Sequence, residues 1–124
     1  MITEVALSVI QHLLGDERSR LLRLIALWSE KLADPKYPQG RLYVKKAKGR
    51  EYLYHCYYDR GRRMQKFISP RYDERSLDLQ LLFRERTAVE KELRAMEENL
   101  AEIEVALNAV NQKRRKDADA GKTH

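Results

Sequence analysis

The chain has 124 residues, of which 35% are charged and 43% hydrophobic, with a net charge of +6. That length gives room for one domain with a modest core, since a chain of this size buries only about two-thirds of its unfolded surface. A lone cysteine, Cys56, excludes an internal disulfide. No Cys and His cluster offers a four-ligand zinc site, no apolar run approaches the ~20 residues that span a bilayer, and Met1-Ile2-Thr3-Glu4 carries no basic leader. The expectation is a cytoplasmic protein without metal, cofactor or membrane contact.

Residues 1–35 carry a net −1, residues 36–72 +9, residues 73–112 −5 and residues 113–124 +3. The second segment sets eleven Lys and Arg against two carboxylates, and such a density creates a local potential that attracts polyanions.

From Thr3, a suitable N-cap, Val5, Ala6, Val9, Ile10, Leu13 and Leu14 recur at helical spacing up to Gly15. Asp16 can cap a second helix, in which Leu21, Leu24, Ile25, Trp28 and Leu32 form one stripe that ends before Asp34-Pro35. The alternative is a single helix passing through Gly15, at about 1 kcal/mol relative to alanine. Residues 34–40 are rich in turn formers and read as a connector.

Three β-prone runs follow, 41–46, 51–58 and 62–68, separated by Lys48-Gly49 and Asp59-Arg60-Gly61. They predict a three-stranded antiparallel meander. Alternation puts Tyr52, Tyr54, Cys56 and Tyr58 on one side of the second strand and Leu53, His55 and Tyr57 on the other. Met64 and Ile68 share a side of the third strand, opposite Phe67. Both faces carry aromatic or apolar groups, and only one can lie on the body of the domain.

After Ser69-Pro70 a long helix is expected from Asp73 or Ser76. Leu79, Arg86, Leu93, Leu100 and Leu107 occupy heptad position a, and Leu82, Val89, Met96, Ile103 and Val110 occupy d. Glu85, Glu90, Glu92, Glu97 and Glu104 flank this coiled-coil-like seam, so two copies would set glutamate against glutamate. The seam is therefore expected to pack on the N-terminal helices, where Arg18, Arg20, Arg23 and Lys31 offer opposite charge; a homodimer through the C-terminal helix is the alternative. Lys113–Lys116 opens a basic tail, 113–124, expected to be disordered. The whole reads as an α+β fold in one domain over 1–112: a helical pair (1–34), a basic β-meander (41–68) and a heptad helix (73–112).

No catalytic constellation emerges. His12 lies in an apolar stripe, His124 is terminal, and His55 and Cys56 are strand neighbours that point to opposite faces. No phosphate-binding loop or dinucleotide fingerprint is present. A non-enzymatic binding module is the expectation. Its site is the meander, where Lys45, Lys46, Lys48, Arg50, Arg62, Arg63 and Lys66 would meet phosphates while Tyr43, Tyr54 and Tyr57 stack or donate hydrogen bonds. Arg60, Tyr52 and Tyr58 belong to the same stretch. The bland alternative is that the tyrosines cover the core and the cations keep a small sheet soluble.

The runs Gly40-Arg41-Leu42-Tyr43-Val44-Lys45-Lys46, Gly49-Arg50-Glu51-Tyr52-Leu53-Tyr54 and Gly61-Arg62-Arg63-Met64-Gln65-Lys66-Phe67-Ile68 resemble the three-stranded unit of the arm-type DNA-binding domains of phage integrases and of AP2-like domains. The resemblance implies a sheet that lies in the major groove. Residues 38–110 also resemble uncharacterised proteins of bacteria, phages and mobile elements, in which such a meander precedes a Glu/Lys-rich helix. The expected function is binding of DNA or RNA. The alternative is an anti-CRISPR-like inhibitor that grips a nucleoprotein effector of the host through the basic sheet and the seam residues Leu82, Val89, Leu93, Met96, Leu100, Ile103 and Leu107.

Overall fold

A computed structural model describes residues 3–121. Five elements follow one another: α1 (Glu4–Leu32), β1 (Arg41–Ala47), β2 (Arg50–Asp59), β3 (Arg62–Pro70) and α2 (Glu74–Gly121). The class is α+β, with a three-stranded antiparallel sheet and a long C-terminal helix. One correction concerns the N-terminus, where a single helix replaces the expected pair. Leu7, Leu14, Leu21 and Trp28 repeat every seven residues and keep their phase across Gly15, so all four face the same side and are buried or half-buried. Full burial of a leucine is worth about 2 kcal/mol, which outweighs the ~1 kcal/mol that a mid-helix glycine costs. Thr3 caps α1 as expected, its hydroxyl accepting from the Ala6 amide at 3.1 Å.

The chain divides into two units, residues 1–29 with 92–124, and residues 30–91. In the first, α1 and the C-terminal part of α2 lie antiparallel. Gln11 donates to Asn111 at 2.6 Å, Arg18 pairs with Glu104 at 3.3 Å, and Arg114 pairs with Glu4 at 2.6 Å. In the same unit Leu7, Leu21 and Met96 are buried, and Leu93, Leu100, Ile103 and Leu107 are half-buried. The helix does not stop at residue 112 but continues through Lys113–Lys116 to Gly121, supported by a Lys113–Asp117 pair at 3.4 Å. His124 and its two predecessors lie outside the described residues.

In the second unit β1 pairs with β2 from Arg41↔Cys56 to Ala47↔Arg50, and β2 pairs with β3 from Asp59↔Arg62 to Tyr52↔Pro70. Both hairpins close through two residues at positive φ, Lys48 (52°) with Gly49 (77°) and Arg60 (50°) with Gly61 (78°). This is the type I′ pattern, whose twist matches that of paired strands. The start of α2 covers one side of the sheet: Ser69 and Ser76, both buried, share a hydroxyl–hydroxyl bond of 2.5 Å, and the Phe83 ring meets His55 edge-on at 5.6 Å. Leu53, 1% exposed, is the centre of this face.

The connector is fastened at several points. Arg86, the charged interruption in the seam, donates to the carbonyl oxygens of Pro38 and of Gly40, the latter at 2.8 Å. His55 Nε2 meets the Gln39 oxygen at 2.5 Å. Tyr37 is buried, and its hydroxyl approaches Glu85 without closing a well-formed hydrogen bond. Burial holds the Tyr37 phenol above its ordinary range. The same hydroxyl, with Lys36 at 3.5 Å, holds the Glu85 carboxyl below its own.

Candidate nucleic-acid interface

Strand alternation and the two registers sort the meander into a helix face and a tyrosine face. The helix face holds Leu42, Val44 and Lys46 from β1, Glu51, Leu53, His55, Tyr57 and Asp59 from β2, and Arg62, Met64, Lys66 and Ser69 from β3. The tyrosine face holds Arg41, Tyr43 and Lys45 from β1, Arg50, Tyr52, Tyr54, Cys56 and Tyr58 from β2, and Arg63, Gln65 and Phe67 from β3. A bulge opposite Leu53 and Tyr54 changes the register, so Ser69 stands across from Leu53 where unbroken alternation would place Ile68. That shift brings Ser69 within reach of Ser76.

The candidate cations do not gather on one side. Lys45, Arg50 and Arg63 lie on the tyrosine face, Lys46, Arg62 and Lys66 on the helix face, and Lys48 in the first turn. Tyr43 and Tyr54 share the tyrosine face, whereas Tyr57 is on the other, packed against His55 at 4.8 Å. The expectation that all these groups converge is corrected by the period of two in a strand, which sends consecutive residues such as Lys45 and Lys46, or Arg62 and Arg63, to opposite sides. The same period marks Arg41, Tyr52, Tyr58 and Phe67 as members of the tyrosine face, a signal present in the sequence once one tyrosine is chosen as reference.

An aromatic band crosses the tyrosine face. Tyr43 stacks on Tyr54 with centroids 5.5 Å apart and planes 15° from parallel. Phe67 meets Tyr54 edge-on at 5.6 Å and Tyr52 at 6.1 Å. Cross-strand pairs of this kind fix the rings in place. Phe67 remains 51% exposed and Tyr58 75%. Lys45 reaches over the Tyr54 ring at 5.1 Å, and Arg63 donates through Nε to the Cys56 sulfur at 3.3 Å. That bond is the largest influence holding Arg63 above the ordinary arginine value.

The electrostatic contrast between the faces is sharp. Glu51 and Asp59, the two carboxylates of the meander, both belong to the helix face. Glu51 accepts from Arg71 at 2.6 Å and lies 3.9 Å from Lys46. Arg41, Lys45, Arg50 and Arg63 share the tyrosine face with no carboxylate. The turn cations Lys48 and Arg60 sit at opposite ends of the sheet, about 30 Å apart along β2 at the usual rise per residue. Both occupy a left-handed conformation that Asn or Gly would adopt with less strain.

Of the other candidates, Leu82 and Val89 lie in the second unit, Val89 fully buried. In the tail cluster, Arg114 is engaged by Glu4 and Gln11. Among the described residues no three His, Cys, Asp or Glu side chains gather at metal-binding distance, and no helix is long and apolar enough to cross a membrane. Comparison with known protein families, curated proteins and solved structures finds no match to this chain.

Proposed function

We propose that this protein is a nucleic-acid-binding module whose contact surface is the tyrosine face of the meander. The observation that carries the reading is the segregation of charge: four cations and an aromatic band on one face, with both carboxylates of the meander on the other. Phosphates require fixed cations without competing acids. Planar bases and sugars favour aromatic and hydroxyl groups beside those cations. Lys48 and Arg60 extend the same potential to the two ends of the sheet. The module acts by binding and positioning, with no group assigned to bond making or breaking.

The alternative, an inhibitor of a nucleoprotein effector, needs apolar anchors from the heptad seam. In the first unit Met96 is buried and Leu93, Leu100, Ile103 and Leu107 are half-buried, which leaves less apolar surface for such a grip and favours the nucleic-acid reading. The test is binding of a labelled oligonucleotide across a range of salt. With Arg41, Lys45, Lys48, Arg50, Arg60 and Arg63 engaged, log affinity should fall against log salt with a slope of about −4 to −5. A flat response, or retention of a host protein after nuclease treatment with no affinity for free nucleic acid, would overturn the reading.

A further inference from the structure

The tyrosine face is not uniform. β1 begins at Arg41, opposite Cys56, while β2 and β3 continue as a two-stranded ribbon through Tyr57–Asp59 and Arg62–Met64. Beyond Arg41 the position that a longer β1 would fill is left open, because the chain turns away at Gly40. This residue has φ 92°, and a Cβ there would lie 2.1 Å from the Cys56 carbonyl oxygen. The result is a recess of about 620 Å³ lined by Gly40, Arg41, Leu42, Tyr43, Cys56, Tyr58 and Arg63. Its volume falls within the range of small-molecule sites. Its walls hold two tyrosines, two arginines and a thiol, with no carboxylate.

Phosphate alone needs no such recess, since cations on a flat surface serve as well. Aromatic walls beside arginines fit a planar base carried on a phosphate. A base paired and stacked within a duplex cannot enter, whereas an unpaired one can swing out and stack on an aromatic ring. Resting on the nucleic-acid reading above, we infer that the ligand is single-stranded nucleic acid and that one unstacked nucleotide seats in this recess. Its base lies against Tyr58 and Tyr43, and its phosphate lies at Arg41 and Arg63. Tyr58 is the exposed wall, and Tyr43 is held rigid by its stack on Tyr54. The bond from Arg63 to the Cys56 sulfur holds that guanidinium beside the thiol on the lining of the recess, so a seated nucleotide would shield the thiol.

The test compares three ligands at low salt: an oligodeoxyuridylate and an oligouridylate of about ten nucleotides, which differ only in the sugar, and a mixed-sequence duplex of equal length. The expected result is tighter binding of the single strands. Tyr58→Ala should weaken them about tenfold, Tyr58→Phe should restore them, and the duplex should respond to neither change. The rate at which a maleimide labels Cys56 should drop when the single strand is bound. Preference between the two oligonucleotides assigns the sugar, DNA or RNA. Equal binding of duplex and single strand, with Tyr58→Ala silent and Cys56 labelled at an unchanged rate, overturns the recess assignment and leaves the tyrosine face as a phosphate-binding surface. Failure of all three ligands to bind overturns the reading of the face itself.

Discussion

The two faces of the meander both carry cations and rings, yet the fold engages them differently. On the helix face Leu53 is buried, Ser69 joins Ser76 of α2, His55 holds the connector, and Glu51 answers Lys46 and Arg71. On the tyrosine face the rings pack on one another and the cations have no acid beside them. The contrast teaches that charge density alone says little about a binding surface. What matters is whether each cation is answered within the fold, and here that depends on which side of a strand it leaves.

The comparison can be broken most severely at Gly40. Gly40→Ala combines a left-handed φ with a backbone clash against Cys56, and we expect a loss of at least about 3 kcal/mol in chemical denaturation. Both faces should fail together, because the connector carrying Tyr37 and the start of β1 must shift. A melting midpoint equal to that of the parent chain would contradict the geometry.

A sharper cut separates the faces by charge reversal. Lys45→Glu with Arg63→Glu should lower oligonucleotide affinity by about 100-fold at low salt. Lys46→Glu with Lys66→Glu should lower it much less, although both double variants change the net charge equally. Equal losses would mean that net charge alone governs binding. All four side chains are exposed, so circular dichroism should show unchanged folding.

The turns provide the third test, since Lys48 and Arg60 adopt a conformation in which asparagine is less strained. Lys48→Asn with Arg60→Asn should raise stability by up to about 1 kcal/mol. The same variant should bind nucleic acid more weakly, with a salt slope shallower by about 2. Stabilisation with unchanged binding would remove these two cations from the interface.

The smallest effect concerns acid. The Tyr37 hydroxyl, followed by Lys36, lowers the Glu85 carboxyl below its ordinary value of 4.5. A carboxyl depressed in the folded state contributes stability that is full above the unfolded value and is lost as pH falls through the folded one. Glu85→Gln should therefore remove that small contribution near neutrality and flatten the loss of stability on acidification below about pH 4.5, so that the variant and the parent chain converge in acid. An identical acid profile for the variant would show that the Tyr37–Glu85–Lys36 contact is without thermodynamic weight.

Much of the architecture was legible because it depends on local periodicity. The three strands, the turns at Lys48-Gly49 and Arg60-Gly61, the Thr3 cap and the heptad from Leu79 to Val110 all follow from neighbours within a few residues. The break expected at Gly15 fails because glycine's helix penalty is a local quantity of about 1 kcal/mol, whereas the stripe that crosses it is buried against residues far along the chain. Arg86 reads as a flaw in the seam until its partners, the Pro38 and Gly40 carbonyls, are brought beside it.

For the candidate site, alternation already divided the residues of each strand into two sets. It did not say which set α2 would cover, because Leu53 with Tyr57 and Tyr52 with Tyr54 offer apolar surface on either side. The sequence by itself determined the elements, their order and the pairing of strands through two tight turns. Only the tertiary structure decided that the Leu53 side receives the helix, that both carboxylates go with it, and that the exposed surface is left with cations, rings and a recess. The physical reason is that the preference for one face is the difference between two packings of a sheet against a distant helix, and no short window of residues contains that difference.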